Sequence, residues 1–139
     1  MSKIRVCLTF EGKAADAAKF YTSVFKNSSI TSSDAVSTVF RLEGAEYIAL
    51  NGPPATPSTG MSLFVTCASQ EEVDNYWNLL SAGGEEMRCG WLQDKFGITW
   101  QIVPEQLQEY LGNKDRAIAE YALHAMLKMT KIVIKDLKK

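Results

Sequence analysis

The sequence predicts an α+β domain in which two paired β-α-β-β-β modules enclose a cup-shaped mixed sheet, followed by C-terminal helices. Three observations carry that reading. The aromatic pairs Phe20-Tyr21 and Tyr76-Trp77 fall at matching points of two helical segments, and the strands before them start at Ile4 and Met61, so both offsets are about 56 residues. Pro53, Pro54 and Pro57, with Gly52 and Gly60, fill a stretch too rich in proline for a sheet interior. Neither half buries its sheet alone, which is why duplicated units of this kind pair. Module one spans about 4–51, the linker about 52–60, module two about 61–103 and a helical tail 104–139.

In chain order, Ile4 to Phe10 reads as a strand that Gly12 breaks. Ala14 to Phe25 carries Ala17, Phe20, Tyr21, Val24 and Phe25 at helical spacing, which makes an amphipathic helix packed on a sheet. Ile30-Thr31-Ser32, Ser37 to Leu42 and Glu46 to Asn51 are the next strands, the last two joined at Glu43-Gly44-Ala45. After the linker, Met61 to Cys67 is a strand. Ser69-Gln70-Glu71-Glu72 has capping-box spacing, and Val73, Tyr76, Trp77 and Leu80 share one helix face. Gly83-Gly84 ends that helix, Glu86 to Leu92 is a strand, and Asp94-Lys95-Phe96-Gly97 turns the chain into Ile98 to Val103. Alternation places Thr99, Gln101 and Val103 on one face of this strand and Ile98, Trp100 and Ile102 on the other. Pro104 closes it. Glu105 to Leu111 is a short helix stopped by Gly112-Asn113. Arg116 to Met129 is a longer one, with Ile118, Ala122, Ala125 and Met129 in a stripe and Leu123, Met126 and Leu127 off it. A helix apolar on more than one side needs a second surface, and a homodimer supplies one.

The 139 residues fit one domain, and 46% apolar content suffices for an ordinary core. With 15 basic and 16 acidic residues mixed along the chain, net charge is −1, so no basic footprint for nucleic acid exists. No window has the length of a signal peptide's apolar run or a membrane span, so the expected location is cytoplasmic and membranes are not an expected partner. Cys7, Cys67 and Cys89 are odd in number and far apart, without Cys-x-x-Cys spacing, and read as reduced, mostly buried thiols. His124 is the single histidine, which rules out a two-histidine metal site.

The run Cys89-Gly90-Trp91-Leu92-Gln93-Asp94-Lys95-Phe96-Gly97-Ile98-Thr99-Trp100-Gln101-Ile102-Val103-Pro104 resembles the last hairpin of the vicinal-oxygen-chelate (glyoxalase/bleomycin resistance/dioxygenase) superfamily. Within it the run is similar to the PhnB-like branch, whose members often carry the name 3-demethylubiquinone-9 3-methyltransferase. The resemblance covers the chain from about Val6 to its C-terminus. It implies the same duplicated fold, a ligand site in the concavity of the cup and a homodimer. It also implies where a divalent ion would be held: at about Val6 or Cys7, at Ala49 or Asn51, at about Gly60 to Ser62, and at Gln101, which stands where Glu is usual.

Those positions make a poor metal site, because oxygen-preferring cations want several carboxylates or carbonyls and zinc wants imidazole or thiolate. No metal or other cofactor is expected. The candidate ligand-pocket residues are Cys7, Asn51, Cys89, Trp91 and Gln101. Asn51 and Gln101, read as equivalent points of the two modules, either face each other as an amide pair across the cup or satisfy backbone at strand ends. Cys89 is either a pocket-lining thiol or a nucleophile. Asp94 and Glu11 are nearest to turns, where a turn-initiating role competes with general-base chemistry. His124 reads as a buried or interface imidazole. Catalytic residues are not assignable. The expected function is metal-free binding of a small molecule. The alternative is a metal-dependent lyase, isomerase or dioxygenase of the same fold. Methyl transfer is disfavoured because no Gly-x-Gly turn follows any strand.

Overall fold

The computed structural model describes residues 3–139, and in them the duplicated pattern becomes two four-stranded mixed sheets. The chain divides inside the proline-rich stretch into two units, Met1–Thr56 and Pro57–Lys139. In unit one, β1 (Val6–Phe10), α1 (Ala14–Val24), β2 (Ser28–Ser33), β3 (Ser37–Leu42) and β4 (Ala45–Asn51) follow in sequence. The sheet order is β1-β4-β3-β2, with β1 parallel to β4 and the other pairs antiparallel. Ala14, Ala17, Ala18, Tyr21 and Val24 of α1 are buried. The Tyr21 ring lies 6.5 Å from Phe10 and 6.0 Å from Phe40, so these residues mark the sheet face that α1 covers. Strand alternation then sends Cys7 and Thr9 to the other face, and Cys7 is exposed.

Unit two repeats the plan with β5 (Leu63–Cys67), α2 (Gln70–Ser81), β6 (Glu85–Glu86), β7 (Trp91–Gln93) and β8 (Thr99–Pro104), ordered β5-β8-β7-β6 with β5 parallel to β8. Ser69 caps α2 by accepting from the Glu72 N–H at 3.2 Å. Val73, Trp77 and Leu80 are its buried residues. The tail holds α3 (Glu105–Leu111), α4 (Arg116–Leu127) and a 3-10 turn, Ile134–Leu137. Val103, Leu107, Ile132 and Leu137 form one buried cluster, against which Tyr110, Met126 and Met129 pack. No helix among the described residues is long and apolar enough to cross a membrane.

Several expectations change in detail. Strands β1 and β5 begin at Val6 and Leu63 rather than at Ile4 and Met61. The single strand expected over 86–92 is instead two short strands around a turn, because Cys89 and Gly90 both adopt positive φ, 61° and 85°. Their N–H groups leave the sheet and donate to the carbonyls of Met129 and Thr130 at 2.9 and 2.8 Å. A Cβ on Gly90 would lie 2.9 Å from the Ile102 carbonyl oxygen and 3.0 Å from Ile132 Cγ1, so glycine is required there both by conformation and by space. Helix α4 stops at Leu127, and Met126, expected off the packed stripe, lies on it. Of the three thiols expected mostly buried, Cys67 alone is buried; Cys89 is half-buried.

Candidate functional site

Register decides which side chains can meet on a sheet. Leu63, Trp100 and Leu92 are cross-strand partners on β5, β8 and β7, and Trp100 and Leu92 are buried beside α2. The next row, Phe64, Gln101 and Trp91, therefore stands on the face turned away from α2. Phe64 is 50% exposed, and Gln101 and Trp91 are half-buried. Gln101 sits between two aromatic side chains, and its Nε2 donates to Ser62 Oγ at 3.0 Å. That bond fixes the amide with its carbonyl end available to a donor. At one end of this face Thr99 Oγ1 donates to the Ser58 carbonyl at 2.7 Å. At the other, Val103 joins the cluster formed with the C-terminal segment. The open part of the face is the strip carrying Phe64, Gln101 and Trp91.

The structure thus brings together two of the expected pocket residues, Trp91 and Gln101, and adds Phe64 and Ser62. Phe64 was legible in the sequence as an aromatic on a strand, but its pairing with Gln101 depends on β5–β8 register. Cys89 lies two residues before Trp91 in the left-handed turn, its backbone tied to Met129. Cys7 pairs with Ile48 on the uncovered face of unit one.

Asn51 is corrected. It pairs with Phe10, the last residue of β1, whereas Gln101 pairs with Phe64, the second residue of β5. By ladder position the counterpart of Gln101 in unit one is Ile48, and that of Asn51 in unit two is Pro104, so the two amides are not equivalent. Asn51 Oδ1 accepts from the Ala14 N–H at 2.9 Å and its Nδ2 donates to the Ala35 carbonyl at 3.2 Å. Lys13 gives α1 no side-chain cap, and Asn51 satisfies that helix start from the neighbouring strand. Of the two readings open for Asn51, the structure shows backbone satisfaction.

Asp94 is a turn former throughout. Its Oδ1 accepts from the N–H groups of Phe96 and Ile98 at 2.8 and 3.1 Å, and its Oδ2 from the Trp100 indole at 2.8 Å. The residue is 3% exposed, and both carboxylate oxygens are engaged within the hairpin. For a divalent ion Gln101 offers one carbonyl oxygen, between the side chains of Phe64 and Trp91, and both ends of Asn51 are engaged with backbone. Among the described residues no three His, Cys, Asp or Glu side chains gather into a metal-holding group.

The three thiols differ in exposure. Burial, with the Glu72 carboxylate adding to it, pushes the Cys67 thiol up from 9.0 to about 12. At pH 8 a chromogenic disulfide reagent is expected to modify exposed Cys7 first, with Cys67 reacting only after denaturant is added. Because the folded value lies above the unfolded one, this group's contribution is intact below pH 9 and declines as pH rises from 9.0 towards about 12. Mass spectrometry of labelled peptides checks the order.

The family described as 3-demethylubiquinone-9 3-methyltransferase matches residues 2–103. The chain belongs to this PhnB-like family. A PhnB protein from Bacillus cereus is 33% identical, with 74% of this chain and 99% of that one aligned at a TM-score of 0.64. A glyoxalase/bleomycin resistance protein from Albidiferax ferrireducens is 21% identical over 71% of this chain and 95% of its own, with a TM-score of 0.51. The fosfomycin resistance protein FosX from Listeria monocytogenes, solved with Mn(II) and sulfate, is 14% identical over 71% and 86%, with a TM-score of 0.54. These last two establish the fold alone. The PhnB-like chain therefore has the glyoxalase/bleomycin resistance fold. A search among curated proteins finds no match.

Proposed function

We propose that this PhnB-like protein binds a small, partly apolar molecule without the help of a metal ion, using the Phe64–Gln101–Trp91 row as its recognition surface. The observation that carries the reading is the fixed Gln101 amide between two aromatic side chains on an open sheet face. Aromatic walls supply contact area and one oriented amide supplies directionality, the usual division of labour in small-molecule sites. The chemistry of the donors supports a metal-free site, since one amide oxygen flanked by aromatic rings falls well short of the roughly six oxygen ligands a hard cation takes. A methyl-transfer activity gains no support from the chain, which has no Gly-x-Gly turn after a strand to hold S-adenosylmethionine. We propose that it acts as a homodimer, because α4 leaves Ile118, Tyr121, Leu123 and Leu127 exposed. A monomer mass by light scattering would sink the dimer.

The test is a thermal-shift series with Mn²⁺, Ni²⁺, Zn²⁺ and Co²⁺, each with and without EDTA, followed by a small-molecule screen on the metal-free protein. The expected metal response is flat. Compounds found in the screen are expected to lose about tenfold in affinity in Gln101→Ala, which removes a ligand hydrogen bond of roughly 1.4 kcal/mol. An EDTA-reversible stabilisation that disappears in Gln101→Ala would overturn the reading in favour of a metal-dependent lyase, isomerase or dioxygenase.

A further inference from the structure

Unit one holds a second feature that the recognition row does not involve. A cleft of about 410 Å³ opens at the start of β1 and beside the β3–β4 turn, lined by Ile4, Arg5, Val6, Arg41, Gly44, Ala45, Glu46 and Tyr47. Two of these side chains are guanidiniums, and both are drawn to one carboxylate. Arg5 Nη1 donates to Glu46 Oε1 at 2.8 Å, and Arg41 Nη1 lies 3.7 Å from Glu46 Oε2. Arg41 Nη2 also donates to the Gly44 carbonyl at 3.2 Å. Glu46 is the more deeply placed partner, its side chain 12% exposed against 28% for Arg5 and 46% for Arg41.

The charges do not balance. Two guanidiniums against one carboxylate leave the cleft lining at +1, while the whole chain carries −1. A guanidinium has five N–H donors in a planar fork, and the bonds above occupy only a few of the two sets. Glu46 and the Gly44 carbonyl also hold the two forks side by side, so little ordering remains when an anion arrives. The volume suits a small organic molecule rather than a bare inorganic ion.

We propose that this cleft is a binding site for a small organic anion, whose carboxylate or phosphate head is held by Arg5 and Arg41. The site shares no residue with the Phe64–Gln101–Trp91 row, being lined wholly by unit one, so failure of either reading leaves the other standing. The experiment is a titration of the full ¹⁵N-labelled chain with benzoate and phenyl phosphate, and with benzamide as the neutral counterpart of benzoate. The expected result is a saturable shift of the Arg5 and Arg41 Nε–H signals and of the Gly44 and Ala45 amides with both anions and not with benzamide. Arg41→Gln and Arg5→Gln are each expected to weaken benzoate binding about tenfold, as loss of a charge-assisted contact does. Raising the salt concentration is expected to weaken it further. Arg41 is half-exposed, so Arg41→Gln keeps the test valid even if Arg5→Gln fails to fold. Equal responses to benzoate and benzamide, affinity within about twofold of wild type in the folded variants, or no saturable shift at these residues would overturn the proposal.

Discussion

Replacing Asp94 by alanine is expected to destabilise the protein by about 3–5 kcal/mol, since it strands one buried and two part-buried donors at once and each orphaned group costs about 1–3 kcal/mol. The donors are the N–H groups of Phe96 and Ile98 and the indole of Trp100, itself 2% exposed. The carboxylate links the β7–β8 turn to the core under α2, so its loss loosens the hairpin that carries Trp91 and Gln101. Chemical denaturation of Asp94→Ala and of Trp100→Phe, which keeps the ring but deletes the indole N–H, measures the effect. The double-mutant cycle is expected to show a coupling of about 1–2 kcal/mol. Additive losses from the two substitutions would mean that the carboxylate–indole bond contributes nothing of its own.

Gly84→Ala is expected to cost about 3 kcal/mol, the upper range for forcing a methyl into filled space. A Cβ at Gly84 overlaps the Gln93 carbonyl oxygen and lies 2.8 and 2.9 Å from the Asp94 carbonyl carbon and Cα. Those are backbone atoms of the same hairpin and cannot swing aside as a side-chain end would. Gly12→Ala is the control. Gly12 has φ +68° but nothing within 4 Å of its built Cβ, so only conformational strain remains and the expected loss is about 1 kcal/mol. A thermal melt that ranks Gly12→Ala at or above Gly84→Ala would contradict the close-approach argument.

These two positions show how far a linear reading reaches. The Asp-x-x-Gly spacing identifies Asp94 as a turn former, because an aspartate bonding its own following amides is a local device. That its second oxygen reaches the indole six residues on is a matter of how β8 folds back beside β7. Gly83-Gly84 reads as a helix stop, and in that role the two glycines are interchangeable. The need for glycine at 84 comes from a strand nine residues later passing against it.

The same division holds at the candidate site. Hydrophobic periodicity and the 56-residue repeat determined both β-α-β-β-β units, the helix faces and the burial of Trp100, because those signals depend on neighbours a few residues apart. The matching family pattern in the final hairpin likewise depended on contiguous residues. Cross-strand register was decided only by the tertiary structure, since a ladder can slide by whole residues without changing either strand's own pattern. Register placed Phe64 and Trp91 on either side of Gln101, gave Gln101 and Asn51 different ladder positions in their own sheets, and brought Arg5, Arg41 and Glu46 to one cleft from three separate stretches of chain. Local sequence determined which side chains alternate, and long-range pairing decided which of them meet.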